Sequence, residues 1–493
     1  MSFFENPFIL PVLAIGTFAV SYYFYTKKSF SKTLFFIVLG GLFLRLFCIN
    51  DAYLHDWDEQ FHALVSKNLM KHWLKPTLID VPVLPYDFQD WAMNHIWLSK
   101  QPLPLWSMAL SMKLFGVNLW ALRLPSLIIS ILAILVTYKI AAILFNNRIA
   151  LYAAFLYSIH GTTIEVATGR DSSDHVQCFF DFFIALGILM ALLGNKKPNN
   201  LLYSLLSGAC MGCAFMCKWY PAFLIFPIWI FFNYKNQSFF RNLLAFGIAS
   251  LIVALPWQIY ILTHFPIEAK WMYKATLIPA SETIQGHGGE WWYYLNDVRI
   301  MFGEIIYIPM IWLCLMALKK RNNTNIRFLL LWIGLPMLIF SLSATKRQLY
   351  LLIMAPAFFM LTAYFAEFLK INRLKMRLNP KFISLILFLL FALPIRYSFE
   401  RIKPFHLDKF NTERTVWLKK LDEKTGGEGA IVFNIGDYVR AMFFSNITVA
   451  YRIMPTPEQI DDLKQKGYKI FIIKNDNVSP ELLLRKDVHF IDN

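Results

Sequence analysis

About twelve stretches of this chain are apolar for long enough to cross a membrane, near 7–25, 33–49, 120–145, 149–168, 175–194, 201–217, 220–233, 242–262, 303–318, 326–342, 349–369 and 382–396. A spanning helix needs about 20 mainly apolar residues, because in lipid the backbone must satisfy its own hydrogen bonds. A chain of 493 residues with so many spans has little left for a soluble core. It is 57% hydrophobic and 16% charged, against about 45–50% and about 25% for soluble domains, which excludes a soluble enzyme. The region 201–233 is the most broken: Pro221, Pro227 and Lys218 make it two short helices or one kinked helix. The first apolar run lacks a basic flank and a small-residue cleavage site, so it reads as a retained span and not a signal peptide.

The net charge of +16 reports orientation. Alternate turns hold Lys27, Lys28 and Lys32, then Arg148, Lys196 and Lys197, Lys235 and Arg241, Lys319 to Arg327, and Lys370 to Lys381; together these are seventeen bases without an acid. Positively charged turns stay in the cytoplasm, so the opposite side is outward. That side carries two long, slightly acidic loops, 50–119 and 263–302, and the C-terminal tail. The basic excess is therefore a topology signal and does not imply nucleic acid. All six cysteines, Cys48, Cys178, Cys210, Cys213, Cys217 and Cys314, lie in apolar runs and predict no disulfide framework. Cys210, Cys213 and Cys217 fit small-residue helix packing better than a thiolate metal site.

Two regions follow: a membrane domain, 1–396, and a small α/β domain outside the membrane, 397–493. In the second, the β-rich runs 430–433, 447–450 and 468–473 alternate with helix-like stretches 437–444 and 457–466. Thr456, Pro457 and Gln459 resemble a capping box at the start of the last helix. No phosphate-binding glycine motif occurs there, which favours an accessory or acceptor-side role.

Chemistry-bearing residues gather on the outward side. His55-Asp56-Trp57-Asp58-Glu59-Gln60-Phe61-His62 puts three carboxylates and two imidazoles at the boundary, where ionised groups are costly. The spacing of Phe61, Leu64, Val65, Leu69 and Trp73 predicts an amphipathic helix on the membrane surface, with Asp58 and Glu59 in its first turn. A helix cap needs one acid, not a cluster. Lys100, before Pro102 and Pro104, can snorkel or meet a phosphate, and alone the first is the better reading. A turn with Arg170, Asp171, Asp174 and His175 needs only polar caps. Lys346 and Arg347, followed by Tyr350, break the positive-inside pattern, for which an anionic ligand is one reason. His287 among glycines precedes a Trp/Tyr cluster that also suits an interfacial belt.

In their order and spacing these pieces resemble the C-superfamily membrane glycosyltransferases of the protein mannosyltransferase family (family 39), and most of all the branch of the aminoarabinose transferases of lipid A. The likeness runs from about residue 33 to about 370. It rests on Asp58-Glu59, Lys100 to Trp106, Phe115-Gly116 with Ala121 to Ser126, Arg170 to Asp174, His287 to Tyr294, and Lys346 to Tyr350 before Pro356. It implies a polyprenyl-phosphate sugar donor, an inverting transfer and a cavity at the outer boundary of a bacterial inner membrane. It assigns Asp58 as catalytic carboxylate, with Glu59 beside it, and Asp174 as the second acidic position. It puts Lys100 and Lys346 near the donor phosphate, Tyr350 in the cavity and His287 at a metal-ligand position; the charge that grows on a leaving phosphate adds the outward Arg170 and Arg347 as candidate phosphate-binding residues. Ser99 stands where that branch has Glu, and Gln101 where it has Pro, so a divalent metal is in question. No nucleotide cofactor is implied, and the partners are the lipid-linked donor, membrane lipid and a glycolipid, protein or glycan acceptor; a monomer is expected. The competing classes are a secondary transporter, which predicts internal repeats, and a ligase or polymerase that uses lipid-linked oligosaccharide.

Overall fold

The computed structural model describes residues 8–170, 174–197, 199–320, 322–373, 379–403, 408–475 and 478–492, apart from the side chain of Asp174. Asp171 and the inward bases Arg321, Lys375 and Arg377 lie outside the described residues. Among the described residues nine helices are long and apolar enough to span a membrane, or up to eleven if each of two bent pairs is one span. The bends fall between Asn147–Ile159 and Gly161–Thr168, at 53°, and between Tyr293–Phe302 and Glu304–Lys319, at 120°. The broken region resolves into a full-length helix, Leu201–Lys218, and a shorter apolar stretch, Tyr220–Asn233. Trp219, at φ 56°, separates them.

The chain divides into two compact units, Met1–Asn50 with Ser126–Phe405, and Asp51–Pro125 with His406–Asn493. In the first unit the helices pack where side chains are small. A Cβ on Gly208 would lie 2.0 Å from the Phe246 carbonyl oxygen, and one on Gly212 2.8 Å from that of Ser250. Helices Leu201–Lys218 and Phe239–His264 therefore meet backbone to backbone, the use of small residues four apart in membranes. Cys210 and Cys217, on the first of these helices, are buried free thiols. Helix Ala355–Asn372 is buried along most of its length, whereas Ile9–Thr26 exposes Val12, Ile15 and Tyr22.

The second unit holds a four-stranded parallel sheet of β1 (Ala430–Phe433), β2 (Val449–Ala450), β3 (Lys469–Lys474) and β4 (His489–Asp492), in the order β2-β1-β3-β4. Ile431 pairs with Ile470 and Val449, and Phe471 with His489. Continuous apolar strands of this kind are buried on both faces. The capping box forms: the Thr456 hydroxyl accepts from the Gln459 amide, and the Gln459 side chain accepts from the Thr456 amide.

Helix Asp58–Leu69 packs into the same unit. Its apolar face was expected on the membrane surface; instead Phe61, Leu64, Val65 and Leu69 share one buried core with Trp97, Leu105, Leu418, Ile431, Phe433 and Val439. Apolar strands and helices some 350 residues later supply the partner that local periodicity leaves unnamed. Two tyrosines tie the segments further: Tyr438 Oη donates to the Ala92 carbonyl at 2.6 Å, and Tyr451 Oη accepts from the Val83 and Leu84 amides.

Candidate active site

Asp58 and Glu59 open the same helix and have different surroundings. Trp57 before them sits at φ 64°, ψ −126°, a region that a bulky residue adopts only when its neighbours hold it there. Asp58 keeps 18% side-chain exposure and pairs with Lys100, Nζ to Oδ2, at 3.0 Å. Lys100 stands just before helix Pro102–Phe115, whose proline start fixes the entry. The lysine that alone reads as snorkelling is turned to a carboxylate.

Glu59, expected beside Asp58 as a second catalytic carboxylate, is wholly buried. Arg123 grips it from the fork of its guanidinium, Nε to Oε1 at 2.6 Å and Nη2 to Oε2 at 3.0 Å. The same guanidinium donates to the Asp51 and Tyr53 carbonyls at 2.7 and 2.6 Å. His55 closes the cluster, its Nδ1 2.6 Å from Glu59 and its Nε2 3.0 Å from Asp51. Burial opposes a charged His55, but the Glu59 carboxylate and hydrogen bonds to Asp51 and Glu59 outweigh it and hold its pKa above the usual value. Sequence reasoning used Arg123 as part of a motif and missed its role. The signal was present, since an arginine between Leu122 and Leu124 needs a buried partner.

The first unit gathers the other expected residues. The segment 343–347 runs along 279–287: Ala344 N donates to Ala280 O, Thr345 N to Pro279 O, and Lys346 N to His287 O at 2.8 Å. Lys346, 5% exposed, donates from Nζ to the Ser343 carbonyl at 2.6 Å. Arg347 donates from its backbone to Tyr294 Oη and from Nη2 to Gln285 Oε1 at 2.9 Å. Tyr350 packs on Phe340. Lys346, Arg347 and His287 are thus set by one pair of segments, and Tyr350 follows in the next turn. Arg170 follows the left-handed Gly169, donates to the Ile402 carbonyl at 2.5 Å and lies over the Phe47 ring. Asp174 begins helix Asp174–Lys196; its side chain is outside the described residues.

His287 is exposed, and partial burial together with the Arg347 guanidinium lowers its pKa. A metal needs several such donors. Among the described residues no three His, Cys, Asp or Glu side chains converge to hold one. The Ser99 hydroxyl, where the resembled branch has a carboxylate, is buried without a partner among the described residues. Among the described residues the donor set does not fit a divalent ion.

This helical architecture has the fold of a crystal structure of ArnT from Cupriavidus metallidurans bound to undecaprenyl phosphate, TM-score 0.60, 14% identity, covering 87% of each chain. It aligns also with an Archaeoglobus fulgidus oligosaccharyltransferase in the apo form, TM-score 0.60, 14% identity, covering 87% of this chain and 65% of that one. The chain matches, over residues 99–260, the family model described as dolichyl-phosphate-mannose-protein mannosyltransferase. It is 28% identical over 282 residues to the undecaprenyl phosphate-alpha-4-amino-4-deoxy-L-arabinose arabinosyl transferase of Pseudomonas aeruginosa, a match covering 53% of this chain and 49% of the relative. The chain spans about half the length of the curated relatives it matches.

Proposed function

We propose that this protein is an inverting membrane glycosyltransferase of a bacterial inner membrane. It moves one sugar from a polyprenyl-phosphate donor to a hydroxyl of an extracytoplasmic acceptor: a lipid A-like glycolipid, a protein or an envelope glycan. The observation that carries the reading is the Asp58–Lys100 pair, a partly exposed carboxylate at a helix start with a cation 3.0 Å away.

In this mechanism Asp58 accepts the proton of the acceptor hydroxyl as its oxygen bonds to the anomeric carbon. The bond from that carbon to the phosphate oxygen breaks on the opposite face, and the electron pair leaves with the polyprenyl phosphate. Negative charge grows on that phosphate and calls for fixed cations. Lys100 is one, and Arg170, Lys346 and Arg347 are the others we assign, with Tyr350 as a hydroxyl donor and Asp174 as a second acid. A donor phosphate also gives Lys100 a second anion to pair with, which releases Asp58 for the proton. Glu59, gripped by Arg123, holds the helix start in this scheme and does not react.

Reconstitution in proteoliposomes with undecaprenyl-phosphate sugars and defined acceptors tests the reading. A product heavier by one sugar supports it, and a long added chain points to a polymerase. Accumulation of substrate inside sealed vesicles without covalent transfer would sink it in favour of a transporter.

A further inference from the structure

The turn that presents Asp58 is held from outside its own loop. Trp57 keeps an unfavourable backbone conformation, which persists only where the residues on either side are fixed. On one side Asp58 pairs with Lys100. On the other, the Asp56 carboxylate accepts from Arg440 Nη2. Asp56 is 72% exposed, whereas Arg440 is 4% exposed. Arg440 is itself fixed before it reaches Asp56: its Nη1 donates to Asn411 Oδ1 at 3.0 Å and lies 3.4 Å from Asp437, which Arg414 holds at 2.8 Å.

The far end of the same helix has a second attachment. Lys67 Nζ donates to the carbonyls of Met442, Phe443 and Ser445 at 2.8, 2.9 and 2.7 Å. These belong to the last turn of helix Tyr438–Phe444 and the residue after it, where carbonyls lack intrahelical partners and attract a cation. Burial pushes the Lys67 pKa down to about 8, so three acceptors at once are what make an ammonium tolerable there. Residues 58 and 67 are nine apart, about 13 Å along a helix. One attachment at Asp56, two residues before the helix, and one at Lys67 near its end, both to one short helix, fix the axis and the rotation of Asp58–Leu69.

We propose that helix Tyr438–Phe444 of the C-terminal segment is the brace of the catalytic helix, with Arg440 a positioning residue that acts on Asp58 through Asp56 and the constrained Trp57. The inference rests on Asp58 as the base. It gives the C-terminal segment a part in the chemical step whichever acceptor is used.

The test uses the full chain in nanodiscs with Asp56→Asn, Arg440→Met and Arg440→Lys. Asp56 is mostly exposed, so Asp56→Asn weakens the tie by removing its charge without opening a core, and Arg440→Met removes it. A displaced base is expected to lower kcat by about 10- to 100-fold with donor KM little changed, and Arg440→Lys is expected to recover much of the loss. The double variant Asp56→Asn/Arg440→Met should be no worse than the poorer single one, because both act on one tie. Amide hydrogen exchange of residues 55–62, read by mass spectrometry, should speed up in Asp56→Asn while β1 and β3 stay as protected as in the wild type. Unchanged exchange there, or wild-type kcat in both Asp56→Asn and Arg440→Met, overturns the brace. A wild type that transfers no sugar overturns the glycosyltransferase reading instead, and the exchange measurement still decides the brace.

Discussion

The candidate site residues of the two units handle charge in opposite ways. In the unit of Asp51–Pro125 and His406–Asn493, carboxylates and cations are matched: Asp58 with Lys100, Glu59 with Arg123 and His55, Asp56 with Arg440. In the other unit Lys346 and Arg347 rest on neutral oxygens, the Ser343 carbonyl and the Gln285 amide. Among the described residues neither has a carboxylate partner. Matched pairs cancel and fix geometry, so they suit positioning. A cation held by neutral oxygens keeps its charge for an incoming anion. Asp58 in the one unit is thus held by a cation, whereas Lys346 and Arg347 in the other keep a reserve of positive charge.

The largest expected effect separates the two carboxylates of the first unit. Asp58→Asn should lower kcat by about 10²- to 10⁴-fold, the range for loss of a general base, and leave the melting temperature near that of the wild type. Initial rates in proteoliposomes check it, and an active Asp58→Asn enzyme would assign the base elsewhere. Glu59→Gln should do the reverse. Removing one member of a buried pair strands the other charge and costs about 3–5 kcal/mol, so it should show first as lower yield and an earlier thermal transition. Normal stability in Glu59→Gln would mean that Arg123 does not depend on it.

The second unit supplies the next test. Lys346 is almost wholly buried on one carbonyl. Lys346→Met removes a desolvated charge and keeps much of the volume, so stability should hold or rise. Donor binding should weaken by about 10- to 100-fold, the worth of one hydrogen bond to a charged group. A donor KM equal to that of the wild type would remove Lys346 from the phosphate site and erase the contrast between the units.

How far the sequence revealed this follows from the range of each interaction. Spanning helices were legible because about twenty apolar residues in a row have few other uses. The capping box at Thr456 and Gln459 was legible because it is complete within four residues. The break at 147–168 was not seen: His160 leaves helical backbone there and its side chain accepts from the Thr163 amide to cap the second helix, and a histidine is no usual cap. The site was half legible. Asp58, Lys100 and Lys346 stand out as charges at the wrong depth, but their partners are set by the fold. The core shared by Phe61 and Ile431, and the tie from Asp56 to Arg440, join residues hundreds of positions apart. Helical periodicity showed that Phe61 and Leu64 would be covered and gave no sign of whether lipid or protein would cover them.

The smallest effect tests whether the matched cluster is balanced. Asp51 and Glu59 face His55 and Arg123, two acids against two bases. The His55 pKa is raised in the folded protein, so its proton stabilises the fold. That contribution is fully present below the unfolded value of about 6.5 and is lost as pH rises through the higher folded value. Above it, Glu59 and Asp51 lose the positive charge of His55. The wild type should therefore melt at progressively lower temperature as pH is raised through this window. His55→Gln keeps a side-chain amide donor near Glu59 without the titrating charge, and should melt lower than the wild type at acidic pH and converge with it at alkaline pH. Parallel melting curves for the two proteins across the range would show that His55 is neutral in the folded state, and that Arg123 alone balances the cluster.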